Sequence, residues 1–113
     1  MLDVSASTVV FTHHHIDGVG SFDLATDARI DDDMHAGIRN GSQLTHAPLR
    51  YVLSRLQPGD RFVDVGANLG TYAIPAAIKG CRVLAIEALP DNYTLLCQSV
   101  AKNALTSVTP VGT

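Results

Sequence analysis

The chain has 113 residues, 46% hydrophobic and 17% charged, with a formal net charge of −3. This is globular composition, not disordered, and the length suffices for one domain at most, burying about two thirds of its unfolded surface. The acidic balance gives no reason to expect nucleic acid or an anionic membrane as a partner. No window approaches the roughly 18 apolar residues of a membrane span, and the start lacks a basic-then-apolar leader, so the cytosol is the expected compartment. Cys81 and Cys97 lie 16 apart with no C-x-x-C pair, which favours two reduced, packed thiols over a bridge.

Residues 1–44 read as an N-terminal hairpin followed by a short helix. Val9-Val10-Phe11 begins an extended run, Asp17-Gly18 is a strong turn dipeptide, and Ser21 to Leu24 returns. Strand alternation puts His13 and His15 on one face and His14 on the other. Two ligands do not close a zinc site, and no Cys or His at suitable spacing completes it, so no metal is expected. Asp31-Asp32-Asp33 precedes MHAGIRNG as acids at a helix start, with Asn40-Gly41 as its stop. A calcium loop would need a Gly and a distal Glu that are absent.

Residues 45–113 read as the first half of a doubly wound α/β domain. Thr45 can cap a helix through Leu56, with Pro48 in its first turn and Leu49, Val52, Leu53 and Leu56 forming one apolar stripe. His46 at its start is expected to be exposed. Pro58-Gly59-Asp60 turns the chain into Phe62, Val63 and Val65, a run suited to a buried parallel strand. Gly66-Ala67-Asn68-Leu69-Gly70 follows as a turn, then a helix from Tyr72 to Lys79 with Pro75 near the end of its first turn, where a mild kink is expected. Tyr72 itself reads as a packing residue. Gly80 stops this helix, and Arg82 to Ile86 forms a second strand ending on Glu87. Pro90 to Asn103 is a further helix, with Tyr93, Leu96, Cys97 and Val100 on one face. Val108 to Val111 is a third strand weakened by Pro110.

Right-handed crossovers bring the Gly66–Gly70 turn and Glu87 to the same sheet edge. The first amides of the following helix carry roughly half a positive charge, and the two glycines let a ligand approach them. Glu87, about 20 residues past the turn, is placed to accept the hydroxyls of a ribose. A dinucleotide fingerprint wants Gly where Asn68 and Thr71 stand. The ligand expected is therefore adenosine-containing without a pyrophosphate, and S-adenosyl-L-methionine fits. Asp64 either orients the turn or meets the ammonium end of that ligand.

The stretch from Val63 to Leu105 resembles the first half of a class I S-adenosylmethionine-dependent methyltransferase, and is most similar to the FkbM type. Its D-x-G-A-N-x-G turn falls on Asp64, Gly66, Ala67, Asn68 and Gly70, its E-x-x-P on Glu87 and Pro90, and its closing Asn on Asn103. Ala88 stands where many members carry Pro. The resemblance implies a Rossmann-like parallel sheet of seven strands, of which this length supplies about three. It also implies a later D-x-E-G segment that is absent, so a partial chain is expected. The activity implied is methyl transfer from S-adenosylmethionine to a hydroxyl of a small molecule or glycan, with the catalytic base outside the sequence. Two alternatives are a non-catalytic remnant or subunit, self-associating through an open sheet edge, and a nicotinamide-dependent oxidoreductase, disfavoured by Asn68 and Thr71.

Overall fold

The structure, a computed structural model, describes residues 8–113. Two sheets sandwich a pair of helices. The first sheet is an antiparallel hairpin of β1 (Val9–Ile16) and β2 (Gly20–Asp27), in which Val9 faces Asp27 and Ile16 faces Gly20. It is longer than the turn residues alone suggested, and the part of the expected hairpin within residues 1–7 lies outside the described residues. The second sheet is parallel, in the order β3 (Arg61–Val65), β4 (Arg82–Glu87), β5 (Val108–Gly112). Its crossovers are α3 (Ala73–Ile78) and α4 (Pro90–Lys102). Both pack between this sheet and β2. One apolar core results, running from Ile16, Phe22 and Leu24 of the hairpin through Ile74, Leu95 and Leu96 to Val83 and Ala85.

Before the parallel unit come α1 (Asp33–Arg39), a 3-10 turn at Ser42–Leu44 and α2 (Ala47–Arg55). Asp32 caps α1 by accepting the His35 N–H, so the acidic run is indeed a helix start. Thr45 does not cap α2. His46 occupies that position without a side-chain bond, while the Thr45 hydroxyl donates back to the Ser42 carbonyl. Pro75 sits in the first turn of α3, where an amide has no intrahelical partner to lose.

One packing expectation needs correction. The run through Val63 and Val65 is not buried: these side chains are 58% and 77% exposed, because β3 pairs only with β4 and the two valines open onto a cleft instead of packing against a helix. On α4 the fully buried residues are Leu95, Leu96 and Ser99, while Tyr93, Cys97 and Val100 are half-buried. Helix α4 is enclosed on two sides, by β2 and by the parallel sheet, so its buried arc is wider than one stripe. Pro110 does not prevent β5, whose register with β4 runs from Val108 opposite Val83 to Gly112 opposite Glu87.

The hairpin places His13 and His15 outward, as alternation requires, and His14 inward. Each has a specific partner: His13 Nδ1 bonds Asp23 at 2.7 Å, His15 Nδ1 bonds the Ser21 hydroxyl at 2.9 Å, and His14 Nε2 bonds the Thr12 hydroxyl at 2.7 Å. Burial, helped by the neighbouring His13, pushes the His14 pKa down. Among the described residues, no three His, Cys, Asp or Glu side chains are grouped to hold a metal, and no helix is long and apolar enough to cross a membrane. Cys81 is buried, Cys97 is half-buried, and both are free thiols.

Candidate functional site

Strand β3 ends at Val65, and the chain must reverse into α3 within seven residues. Gly66 and Gly70 make this possible with φ of +73° and +97°, and Asn68 adopts φ +52° between them. The two glycines serve different ends. A Cβ on Gly66 would meet nothing within 4 Å, whereas one on Gly70 would stand 2.9 Å from Ile74 Cγ1 and 3.1 Å from Leu96 Cδ1. Gly66 leaves space on the outer side of the turn; Gly70 lets the turn press on α3 and α4.

The turn is locked to the end of β4. The Ile86 carbonyl accepts from both Gly66 and Ala67 N–H, at 2.8 and 2.9 Å. One Glu87 oxygen accepts from Asn68 N–H at 2.8 Å and the other from Leu89 N–H at 3.0 Å. Glu87 and the bend therefore share one rim, as the topology requires. The amides of Gly66, Ala67, Asn68 and Gly70 are spent on internal bonds, and of the helix-start amides expected to be open to a ligand, that of Ala73 is given to Asp64. Glu87 is 4% exposed and acts first as a strut between two strand ends.

A cleft of about 440 Å³ lies against this rim, within the ordinary range for small-molecule sites. Asp64, Gly66, Ala67 and Asn68 line it, along with Thr71 and Tyr72, but Gly70 and Glu87 do not. The opposite wall comes from elements for which no site role was read: Met34, Gln43, His46, Leu49 and Val52. Nothing local in those residues marks them; only the packing of α1 and α2 beside β3 does.

Asp64 is the electrostatic oddity of the cleft. It accepts from the Ala73 N–H at the start of α3, yet its Oδ2 is buried with no hydrogen-bond partner. Burial pushes its carboxyl above the usual range; the Ala73 N–H opposes the shift and the nearby Glu87 charge adds to it. A buried carboxylate oxygen without a donor is costly unless something supplies one.

No protein-family model matches the chain. A tRNA (guanine(37)-N(1))-methyltransferase of Aedes aegypti is 46% identical over 52 residues, which are 46% of this chain and 9% of that protein. A 23S rRNA (uracil(1939)-C(5))-methyltransferase RlmD of Shewanella sp. (strain MR-4) is 28% identical over 74 residues, 64% of this chain and 16% of the relative. The chain thus spans between 9% and 16% of the length of these two relatives. Among solved structures, M. jannaschii TYW2 in complex with AdoMet matches with a TM-score of 0.64 and 26% identity, over 90% of this chain and 42% of that one.

These likenesses bear on four expectations. The FkbM type is not supported, since these two sequence relatives are RNA methyltransferases. For the same reason the exclusion of nucleic acid, drawn from net charge, is overturned, and the small-molecule or glycan acceptor finds no support in these relatives. Hydroxyl methylation finds no support either: the relatives' names specify a guanine nitrogen and a uracil carbon. The cofactor expectation stands, because TYW2 carries AdoMet on the same architecture. The chain has the fold of the class I S-adenosylmethionine-dependent methyltransferases.

Proposed function

We propose that this chain forms the S-adenosylmethionine-binding part of a methyltransferase that modifies a base of structured RNA. The observation that carries the reading is the rim where Glu87 bonds the Asn68 amide beside a cleft walled by Asp64. The residues present suit the cofactor. The partnerless Asp64 oxygen offers a site for the ammonium of the methionine end. The open outer side of Gly66 gives the ligand close approach to the main chain. Glu87 is 4% exposed and outside the cleft lining, and each of its oxygens already accepts one amide but keeps acceptor capacity for a ribose hydroxyl that meets the rim itself. Phe62, Leu49 and Val52 supply apolar wall.

When bound, the cofactor supplies an electrophilic methyl group on its sulfonium. The chain's part is to fix the donor at both ends, through Glu87 on the sugar and Asp64 on the amino acid, so that the methyl group meets its acceptor in line. The tRNA and rRNA relatives support a base as that acceptor.

Calorimetry of the chain with S-adenosylhomocysteine and with NAD tests the cofactor half. Heat with the first and none with NAD is expected; binding of NAD alone overturns it. Fluorescence anisotropy with an unmodified tRNA transcript at low salt tests the RNA half, and a chain that ignores the transcript overturns that.

A further inference from the structure

We propose that a second groove, at the opposite end of the parallel sheet and centred on Arg61 and Arg82, holds the phosphate backbone of RNA; this rests on the RNA reading above. Arg61 and Arg82 open β3 and β4 and are register partners, so their side chains leave the same sheet face. Parallel neighbours stand about 4.8 Å apart, and like charges directly opposite are unfavourable. Both residues are exposed, and among the described residues neither guanidinium has an ion pair or hydrogen bond. The other arginines near acids behave differently: Arg29 bonds Asp27, and Arg39 bonds the Ile30 carbonyl and lies 3.6 Å from Asp31. The sequence has set two unneutralised forks side by side.

Around them the sheet face forms a groove of about 380 Å³, lined also by Thr106, Ser107 and Thr109 and by apolar Val63 and Leu84. Paired guanidiniums flanked by hydroxyl-bearing residues match phosphate oxygens in charge and in geometry. The groove and the cofactor cleft share Phe62 and Val63, but Arg61, where β3 opens, stands five residues from Gly66 on the rim, about 17 Å, or the rise of about five stacked nucleotides. A lone nucleotide seated at the rim does not reach the two guanidiniums. A folded RNA with its target base at the rim can lay its backbone across Arg61 and Arg82.

The test compares the unaltered chain with the double variant Arg61→Gln and Arg82→Gln. An unmodified tRNA transcript is titrated across a salt series, with S-adenosylhomocysteine calorimetry on the same preparations. The expected result is unchanged cofactor affinity, RNA binding weaker by about tenfold at low salt, and a salt slope shallower by about 1 to 2. Arg61→Lys with Arg82→Lys should restore the slope, since the charge remains. A Gln variant that binds RNA with the original affinity and slope overturns the groove and leaves the RNA reading intact. An unaltered chain that binds S-adenosylhomocysteine but no transcript overturns both.

Discussion

At the end of β2, Asp27 is buried but fully provided for: Arg29 donates to it from Nε at 3.0 Å, from Nη2 at 2.7 Å and from its backbone N–H at 3.0 Å. The Arg29 bonds hold its carboxyl at about 2, below the ordinary 3.8. At the end of β3, Asp64 accepts one amide, keeps an oxygen without a partner and has its pKa raised by burial. Two aspartates at two strand ends are thus shifted in opposite directions. A satisfied buried acid belongs to the framework, while one left wanting beside a cleft is available to a ligand.

Asp27→Ala attacks the framework side and should have the largest effect, about 3 kcal/mol of stability lost in urea denaturation. The loss stays below the upper range because Arg29 reaches water. The pH sign follows from the lowered pKa. Asp27 contributes stability above 3.8, and that contribution disappears as pH falls through about 2. For Asp64 the sign reverses: its cost is present above its raised pKa and is relieved as pH falls towards 3.8. A variant without Asp27 that unfolds in acid just as the parent does would remove the contrast.

The two turn glycines sharpen the same division. Gly70→Ala should cost about 2 kcal/mol, because the new methyl group meets Ile74 and Leu96 in a strained conformation. Gly66→Ala should cost about 1 kcal/mol from its left-handed φ, while weakening S-adenosylhomocysteine binding more than that stability loss explains. Equal effects of the two on thermal unfolding would show that the cleft side of the turn is packed after all.

Glu87→Ala should raise the dissociation constant for S-adenosylhomocysteine about tenfold or more, or about 1.4 kcal/mol. An unchanged constant in calorimetry would take Glu87 out of the site. The smallest effect on folding is expected from Asp64→Asn. It keeps an acceptor for Ala73 and removes a buried charge, so stability should hold or rise by up to about 1 kcal/mol while cofactor affinity falls about fivefold. A stability loss would place Asp64 with Asp27.

The strand–turn–helix–strand order and the shared rim of Gly66 and Glu87 were legible because they follow from local glycine placement, short apolar runs and crossover handedness. What covers a strand was not: Val63 and Val65 look buried in sequence, and only tertiary packing reveals the bare face. The state of the Gly66, Ala67 and Asn68 amides was equally hidden, since their acceptors on Ile86 and Glu87 lie about 20 residues away. The D-x-G-A-N-x-G turn reports the donor, not the acceptor, so resting the FkbM type on it asked too much of the motif. Net charge misled in a related way. A total of −3 sums Asp31, Asp32 and Asp33 with Arg61 and Arg82 and erases where each charge stands.

Asn103, at the far end of α4, gives both its donor and its acceptor to the main chain of Asp23, and Ser99 accepts from Ala25 N–H at 2.8 Å. One helix flank thereby plays the neighbour that β2 lacks on the side away from β1. The helix begins three residues after Glu87 and runs as a stiff rod of about 20 Å to this join. Cofactor rim and hairpin are yoked to opposite ends of a single shaft, and trimming either would unseat the other.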